Sequence, residues 1–405
     1  MNKVKVAAII AEFNPLHRGH EYIIKRAREL TECTHVLIIQ SGNFTQRAEP
    51  AILEKHSRAE TAIRAGADAV VEIPAAFATG NAEVFAKAAV KIAVSFPHVN
   101  YLVFGTESKD ISVIRAIATA QVKREKEFTK YMDGHLKKGI SFDKARTEVI
   151  KRMLPKIPSE VIEATMTSSN NILGIEYLKE LTRIGGGVVP MGVQRIQAPS
   201  ASQIREVMLA THGVAGGGDE PGLVLRRPSA LSYLTRENFD AFGSAVLFSI
   251  MTRLDEEVYN SNEEIVGLIR NLHPTTYKQL KEEAPTKRFA VSRIARLALH
   301  SALGVTKRHI AFLYKNEWVP YTNLLAISTQ ADNLFSALCL NSRTPMVVRG
   351  NKIKPKLSAY YRALIEIDER ARLLYEAIWG RAVERKPRFV NRSIVPGQRK
   401  IELPD

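Results

Sequence analysis

Apolar positions in the first half of the chain follow two alternating patterns. Residues 4–11 (VKVAAIIA), 35–40 (HVLIIQ), 69–73 (AVVEI) and 101–104 (YLVF) are short runs with little polar alternation. Such runs suit strands of a parallel sheet that is covered on both faces. Between them lie segments of helical spacing. In 20–30, Tyr22, Ile23, Ala27 and Leu30 share one face, and Lys25, Arg26 and Arg28 the other. Residues 54–65, closed by Gly66, and residues 82–94 repeat the pattern. Strand and helix in turn predict a parallel sheet with helices on both sides. Residues 109–161 read as mostly helical, with breaks at Gly134, Gly139 and Pro155. A helix at 169–181, a short strand at 187–195 and a helix at 202–209 follow.

Residues 211–222 (THGVAGGGDEPG) concentrate glycine, acids and proline and read as a linker. Beyond residue 241 no alternating strand is evident, and 245–259, 263–272, 275–283, 290–303 and 358–380 have helical periodicity. The fold class predicted is therefore α/β. An N-terminal Rossmann-like parallel-sheet domain (1–210) leads through a linker region (211–240) to a mainly α-helical C-terminal domain (241–405).

Composition narrows the partners. Among 405 residues, 58 Lys+Arg against 42 Asp+Glu leave a net charge of +16, which points to a polyanion. The first apolar run is too short for a secretory leader, and no run reaches the ~18 apolar residues of a membrane helix. Nucleic acid is then a better partner than a bilayer. The two cysteines, Cys33 and Cys339, cannot build a disulfide framework or a multi-cysteine zinc site. They read as small core residues in a reducing, cytoplasmic setting.

The chemistry concentrates in residues 11–20, A-E-F-N-P-L-H-R-G-H. This segment leaves the carboxyl end of the first strand and enters the first helix, where open α/β sheets bind ligands. Helix-start N–H groups there face an anion, Gly19 permits close backbone approach, and His17 and His20 can donate ring hydrogens to phosphate oxygens. Two other readings of the histidine pair stand beside this one: zinc ligation, for which no local third ligand is apparent, and a purely structural capped pair. No metal ligand set is assigned.

The His-x-Gly-His pattern resembles the signature of the nucleotidylyltransferase superfamily, whose histidines act at the α-phosphate of a nucleoside triphosphate. That superfamily carries a second phosphate element of the type Ile-Ser-Ser-Thr-x-Ile-Arg opening a late helix. Here Pro199-Ser200-Ala201-Ser202-Gln203-Ile204-Arg205 matches at Ser200, Ser202, Ile204 and Arg205 and departs at Pro199 and Ala201. Further stretches narrow the resemblance: S-G-N-F-T-Q-R-A-E-P-A at 41–51, A-G-A-D at 65–68, V-E-I-P at 71–74, F-G-T-E at 104–107, S-N-N-I-L-G-I-E-Y-L at 169–178, Gln194-Arg195, and T-K-R-F at 286–289. Together they are similar to the tRNA(Met) cytidine acetate ligase family.

That resemblance implies an ATP-dependent, AMP-forming ligase. Acetate would be activated as acetyl-adenylate and passed to N4 of the wobble cytidine of elongator tRNA(Met), giving N4-acetylcytidine, AMP and pyrophosphate. It implies His17 and His20 as catalytic residues. It implies ATP contacts from Ala7, Ala8, Ile9, Ile10, Ala11, Glu12, Phe13, Asn14, Pro15, Leu16, His17, Arg18, Gly19 and His20, from Gly105, from Asn170 or Asn171, and from Arg195, Ser200, Ser202 and Arg205. Only Ile196, Gln197 and Ala198 stand between Arg195 and Pro199, fewer than the family often places there. Mg²⁺ would arrive with ATP, and acetate, already ionised at neutral pH, would be co-substrate.

The basic second half then becomes a tRNA surface. Lys287, Arg288, Arg293 and Arg296, with Arg47 from the loop after the second strand, are the candidate tRNA contacts. Phe289, Tyr314, Trp318 and Tyr321 could stack bases, although each alone suits core packing better. Two other functions fit the same motifs: an adenylyltransferase acting on a small phosphorylated acceptor, and a non-catalytic nucleotide-sensing RNA-binding protein.

Overall fold

The computed structural model describes residues 4–108, 110–210, 233–286, 288–331, 333–348, 359–383 and 386–390. The first half runs β1 (Val6–Ala11), α1 (Arg18–Thr31), β2 (His35–Ser41), α2 (Lys55–Arg64), β3 (Ala69–Ile73), α3 (Ala75–Ala78), α4 (Ala82–Ser95) and β4 (Val99–Thr106). It continues α5 (Ser112–Lys123), α6 (Glu125–Lys137), α7 (Phe142–Met153), α8 (Ser159–Thr167), α9 (Ser169–Ile184), β5 (Val189–Gln194) and α10 (Ala201–Ala210). The second half comprises α11 (Arg236–Arg253), α12 (Glu263–Leu272), α13 (Tyr277–Glu283), α14 (Val291–Leu303), α15 (Lys307–Lys315), β6 (Thr322–Ser328), α16 (Leu334–Cys339), β7 (Met346–Val347), α17 (Ala359–Trp379) and β8 (Arg388–Val390).

The parallel strands stand in the order β5-β4-β1-β2-β3. Their apolar runs divide between two faces because successive side chains point oppositely. Ala8, Ile10, Leu37, Ile39 and Val71 enter the core with Val84, Ala88 and Ile92 of α4 and Ile175 of α9. Ala7, Ile9, Val36, Ile38 and Val70 pack with Ile24 and Ala27 of α1 and Ala59, Ala62 and Ile63 of α2. Each large aliphatic side chain so buried contributes about 1.5–3 kcal/mol. The chain order reverses at β1: β2 and β3 add on one side, β4 and β5 on the other. A crevice therefore opens beyond the carboxyl ends of β1 and β4, and the histidine motif leaves β1 at that point.

The second half is mainly helical, as expected, but its described residues also carry three strands, which the sequence pattern did not reveal. β6 pairs antiparallel with β3, and β7 and β8 pair parallel with β6, so the sheet continues into the C-terminal half. The larger core is also shared: Phe242 of α11, Leu297 of α14 and Tyr375 of α17 join the cluster that holds Ile10 and Val71. Gly134 lies inside α6 and breaks nothing. The helix expected at 245–259 begins earlier, where Thr235 and Asn238 form a capping box that starts α11. Cys339 is exposed at the end of α16, whereas Cys33 is buried as expected. The 211–222 stretch lies outside the described residues.

A buried polar group welds β6 and α17 to the sheet. Glu72 accepts Lys55 Nζ at 2.9 and 2.8 Å and Asn323 Nδ2 at 2.9 Å. Asp368 of α17 accepts the Ala75 N–H and the Tyr321 hydroxyl, each at 2.7 Å. Burial, and next the negative charge of Glu72, push the Asp368 carboxyl up from 3.8 to about 7. A folded-state pKa above the unfolded value means that the folded chain holds the proton longer. Its stabilising contribution is full below pH 3.8 and is lost as pH rises through 7. In Asp368→Asn this loss is absent, so the variant's Tm should gain on the wild type as pH rises from 4 to 7. Thermal melts at stepped pH check this; a constant Tm difference across that window would discard the assignment.

Candidate active site

The motif loop turns into α1 through its first histidine. His17 is the N-cap in extended conformation, and its Nδ1 accepts the Gly19 N–H at 3.1 Å. The His20 Nδ1 accepts the His17 N–H at 3.3 Å, completing a reciprocal box in which two imidazoles replace the usual hydroxyl and carboxylate. The rings stack with centroids 3.8 Å apart, and Phe13 leans on His20 at 4.8 Å.

Protonation follows from this geometry. Burial, and next the charge of Arg195, lower His17 to about 4. Burial, the His17 ring and Arg195 hold His20 well below the ordinary imidazole range. Both rings are neutral near pH 7. With each Nδ1 accepting a backbone N–H, each ring carries its proton on Nε2 and is a hydrogen-bond donor there.

The histidines line a cavity of about 470 Å³, within the usual size of small-molecule sites. Of the motif segment, Ile9, Ile10, Ala11, Glu12, Phe13, Asn14, His17, Gly19 and His20 line it. Ala7 and Ala8 are strand core, and Pro15 and Leu16 are buried; none of the four lines the cavity. Arg18 is likewise off the cavity; its side chain faces a shallow surface depression with Lys25 and Arg64.

From the far side of the crevice come Gly105 at the end of β4 and Arg195 just past β5, joined by the Arg195 N–H to Thr106 carbonyl bond at 3.0 Å. Glu107 organises this corner. It accepts Asn170 Nδ2 at 2.9 Å and Arg195 Nη1 at 3.1 Å, while the Asn171 side chain accepts the Glu107 N–H at 3.1 Å. Burial raises the Glu107 carboxyl, and the Asn170 amide and Arg195 outweigh it, leaving it below its usual range. Asn170 lines the cavity; Asn171 is buried behind it, holding the backbone.

Ser200 starts α10 with a capping box of its own, its N–H donating to Gln203 Oε1 at 2.8 Å and its Oγ accepting the Gln203 N–H at 3.3 Å. Arg205, one turn on, donates to the Asn14 carbonyl at 2.7 Å and to Ser202 Oγ at 3.1 Å. Ser200, Ser202 and Arg205 all line the cavity, so the open end of α10 faces the histidines' loop. Arg47 lines it too, with Thr45, Gln46 and Glu49 of the same loop. Phe85, Phe104, Leu173 and Tyr177 supply an apolar wall that the sequence did not reveal, because one inward residue on a core helix looks like core. Gly174 hints at it: a Cβ there would meet the Phe104 ring at 2.8 Å.

The remaining cationic candidates do not form one free strip. Arg288 is exposed and pairs with Glu264 at 3.2 Å. Arg293 is half-buried and spends Nε and Nη2 on the Asn260 carbonyl, at 3.0 and 2.9 Å. Arg296 is half-buried beside Ser292, and its Nε has no partner among the described residues. Lys287 lies outside the described residues. Phe289 and Tyr321 are core, whereas Trp318 stacks under Arg343 and Tyr314 under Lys87. His56 is bonded to Glu54 and His300 to Thr79, both away from the cavity.

A neutral pair of Nε2–H donors, a helix N-terminus and three arginines around one crevice define a nucleotidyl-transfer site. The family model for the HIGH nucleotidyl transferases matches residues 4–388, and the chain belongs to that family. Within it the chain falls among the tRNA(Met) cytidine acetate ligases. It is 30% identical to the tRNA(Met) cytidine acetate ligase of Clostridium perfringens strain SM101 over 390 residues, covering 92% of this chain and 95% of the relative. It is 29% identical to the one from Acetivibrio thermocellus over 397 residues, covering 92% and 94%. The crystal structure of Thermotoga maritima TmcAL bound with alpha-thio ATP superposes with a TM-score of 0.81 at 27% identity, covering 96% of this chain and all of the other.

Gly19 tests the histidine geometry. A Cβ there would lie 2.9 Å from His17 Cε1 and 3.1 Å from Nδ1, so the ring must swing out. Gly19→Ala is expected to keep its melting temperature and lose about 100-fold in adenylate formation, the usual result of ångström-scale misplacement. An unchanged rate in a pyrophosphate-release assay would refute the role given to ring position.

Proposed function

We propose that this enzyme is an ATP-dependent ligase that activates acetate as acetyl-adenylate and acetylates N4 of the wobble cytidine of elongator tRNA(Met). The products are N4-acetylcytidine, AMP and pyrophosphate. One observation carries the reading: α1 satisfies both Nδ1 atoms from its own backbone, which makes His17 and His20 donors at the cavity wall. An acetate oxygen attacks the α-phosphorus and pyrophosphate leaves. The Nε2–H groups stabilise charge as it builds on the α-phosphate oxygens. The N-terminus of α10 and Arg205 receive the distal phosphates. Gly105, Asn170 and Arg195 hold the nucleoside end.

Acetate brings its own negative charge, so the activation step needs orientation and charge neutralisation more than acid–base help. The apolar wall of Phe85, Phe104, Leu173 and Tyr177 suits its methyl group. Mg²⁺ comes with ATP, held by phosphate oxygens and water. Among the described residues no group of three or more His, Cys, Asp and Glu is placed to hold a metal ion. Residues 1–210 are assigned the ATP and acetate chemistry and 241–405 most of the tRNA surface. Arg47 and Arg288 are the best phosphate contacts, with Lys287 next to the latter in sequence. The wobble base must leave its stack to reach the cavity, which an anticodon loop allows cheaply. The enzyme works in the cytoplasm, with its tRNA; no helix among the described residues is long and apolar enough to cross a membrane.

ATP–pyrophosphate exchange tests the reading. Exchange should depend on acetate, and His17→Ala should reduce it by about 100-fold or more while sparing tRNA binding. Exchange that instead requires a phosphorylated small molecule would make the protein an adenylyltransferase. No exchange under any condition, with tRNA present or absent, would make it a nucleotide sensor.

A further inference from the structure

In an acetate–tRNA ligase, the function on which this inference rests, the second half-reaction makes a demand that the first does not. When the cytidine N4 amine attacks the acetyl carbonyl carbon, an N–C bond forms. The bond from that carbon to the phosphate oxygen breaks, its electron pair leaves with AMP, and the amine must shed one proton. The histidines cannot take that proton. Each Nδ1 lone pair already accepts a backbone N–H, and each Nε2 is already protonated.

Among the described residues two carboxylates line the cavity, Glu12 and Glu49. Glu12 leaves the end of β1 on the same loop as His17, next to the wall that fixes the α-phosphate. Its position is locked. Oε1 accepts the Gln46 N–H at 2.6 Å, and its main-chain carbonyl accepts the buried Arg58 guanidinium. Oε2 makes no hydrogen bond among the described residues. Glu49 belongs to the loop after β2, whose backbone it closes through its own carbonyl to Thr45. The acyl carbon is one oxygen away from the phosphorus that the histidines grip, so a proton acceptor must sit on that loop's side of the cavity.

We infer that Glu12 is the general base of acetyl transfer, receiving the N4 proton on Oε2 as the amide forms. Its surroundings suit the task. Burial raises its carboxyl above the ordinary range, against the Gln46 N–H and the charges of Arg58, Arg47 and Arg205; the Tyr177 phenol also faces it from α9. A base drawn toward neutrality is stronger, yet three guanidiniums keep it able to ionise.

The test separates the two half-reactions. Glu12→Gln keeps an oxygen for the Gln46 N–H and removes only the basicity. With tRNA and preformed acetyl-adenylate, N4-acetylcytidine formation should slow by about 100-fold or more. Acetate-dependent exchange should fall far less than transfer does, and the melting temperature should stay near wild type. Wild-type transfer should fall as pH drops, with an acid limb above the usual carboxylate range, and the variant's slow transfer should lack that limb. Glu12→Asp, a base with shorter reach, should recover part of the rate. Four results would overturn the inference: unaltered transfer in Glu12→Gln; equal loss of exchange and transfer; rescue of lost exchange by added Mg²⁺, which would make Glu12 a cation contact; or loss of transfer in Glu49→Gln with Glu12→Gln unaffected. Wild-type protein that makes no N4-acetylcytidine from acetyl-adenylate would bring down the underlying reading instead.

Discussion

The guanidinium of Arg58 is fully buried, and its donors meet backbone carbonyls among the described residues. Nε meets Leu53 at 3.0 Å, Nη2 meets Ser41 at 3.1 Å and Gly42, and Nη1 meets Glu12. Those carbonyls belong to the ends of β1 and β2 and to the approach to α2, where the sheet's ladders stop and loops begin. Left dry and unpaired, each would cost about 1–3 kcal/mol. One planar fork reaches all four at once, which a lysine's single ammonium could not. Burial works against the charge and lowers the guanidinium's pKa, and the carboxylates of Glu12, Glu54 and Glu72 offset only part of that effect. The Tyr375 hydroxyl donates to the Ala51 carbonyl at 2.8 Å, so α17 rests on the same junction.

The site follows from this junction. With the exit of β1 pinned, the next residues turn into α1 at one angle, and the histidines cap that helix instead of pointing into solvent. Capping fixes the tautomer, and burial fixes the charge state, so two residues that could have been bases become donors. The opposite wall is built the same way: Asn171 holds the Glu107 backbone so that its carboxylate can orient Asn170 and Arg195. Preorganisation here is hydrogen bonding among wall residues completed before any ligand arrives.

Much of this is legible from residue order. The parallel strands announce themselves because both faces are buried, and the motif after β1 locates the crevice. What fails to show has physical causes. β6, with the run T-N-L-L-A-I-S, is too short for periodicity to separate strand from helix, and its partner β3 lies some 250 residues away. Asn170 and Asn171 are chemically equivalent letters; only the helix phase of α9 sends one to the cavity and the other to the backbone. Gly19 reads in the sequence as room for a phosphate, and the atom that needs the room first is the His17 ring. The apolar wall is invisible there because Phe85 and Tyr177 obey the same spacing as the core around them.

The excess charge of +16 also changes meaning once the side chains are placed. Lys87 pairs with Glu180, and Arg146 and Lys179 with Glu176, all buried, so these cations are neutralised inside. Arg58, Arg293 and Lys91 are spent on carbonyls, the last on Leu313 and Asn316. They count in the net charge, and these bonds already occupy them inside the fold. On the proposed reading, the charge that meets RNA is that of exposed residues such as Arg18, Arg47, Arg288 and Arg308. Among the described residues, the last two are held by solvent-facing pairs with Glu264 and Glu257. Pairs of that kind are worth about 0–1 kcal/mol and exchange readily for a phosphate. Salt dependence of RNA binding reports phosphates neutralised, so it measures this subset and not the sum over the chain.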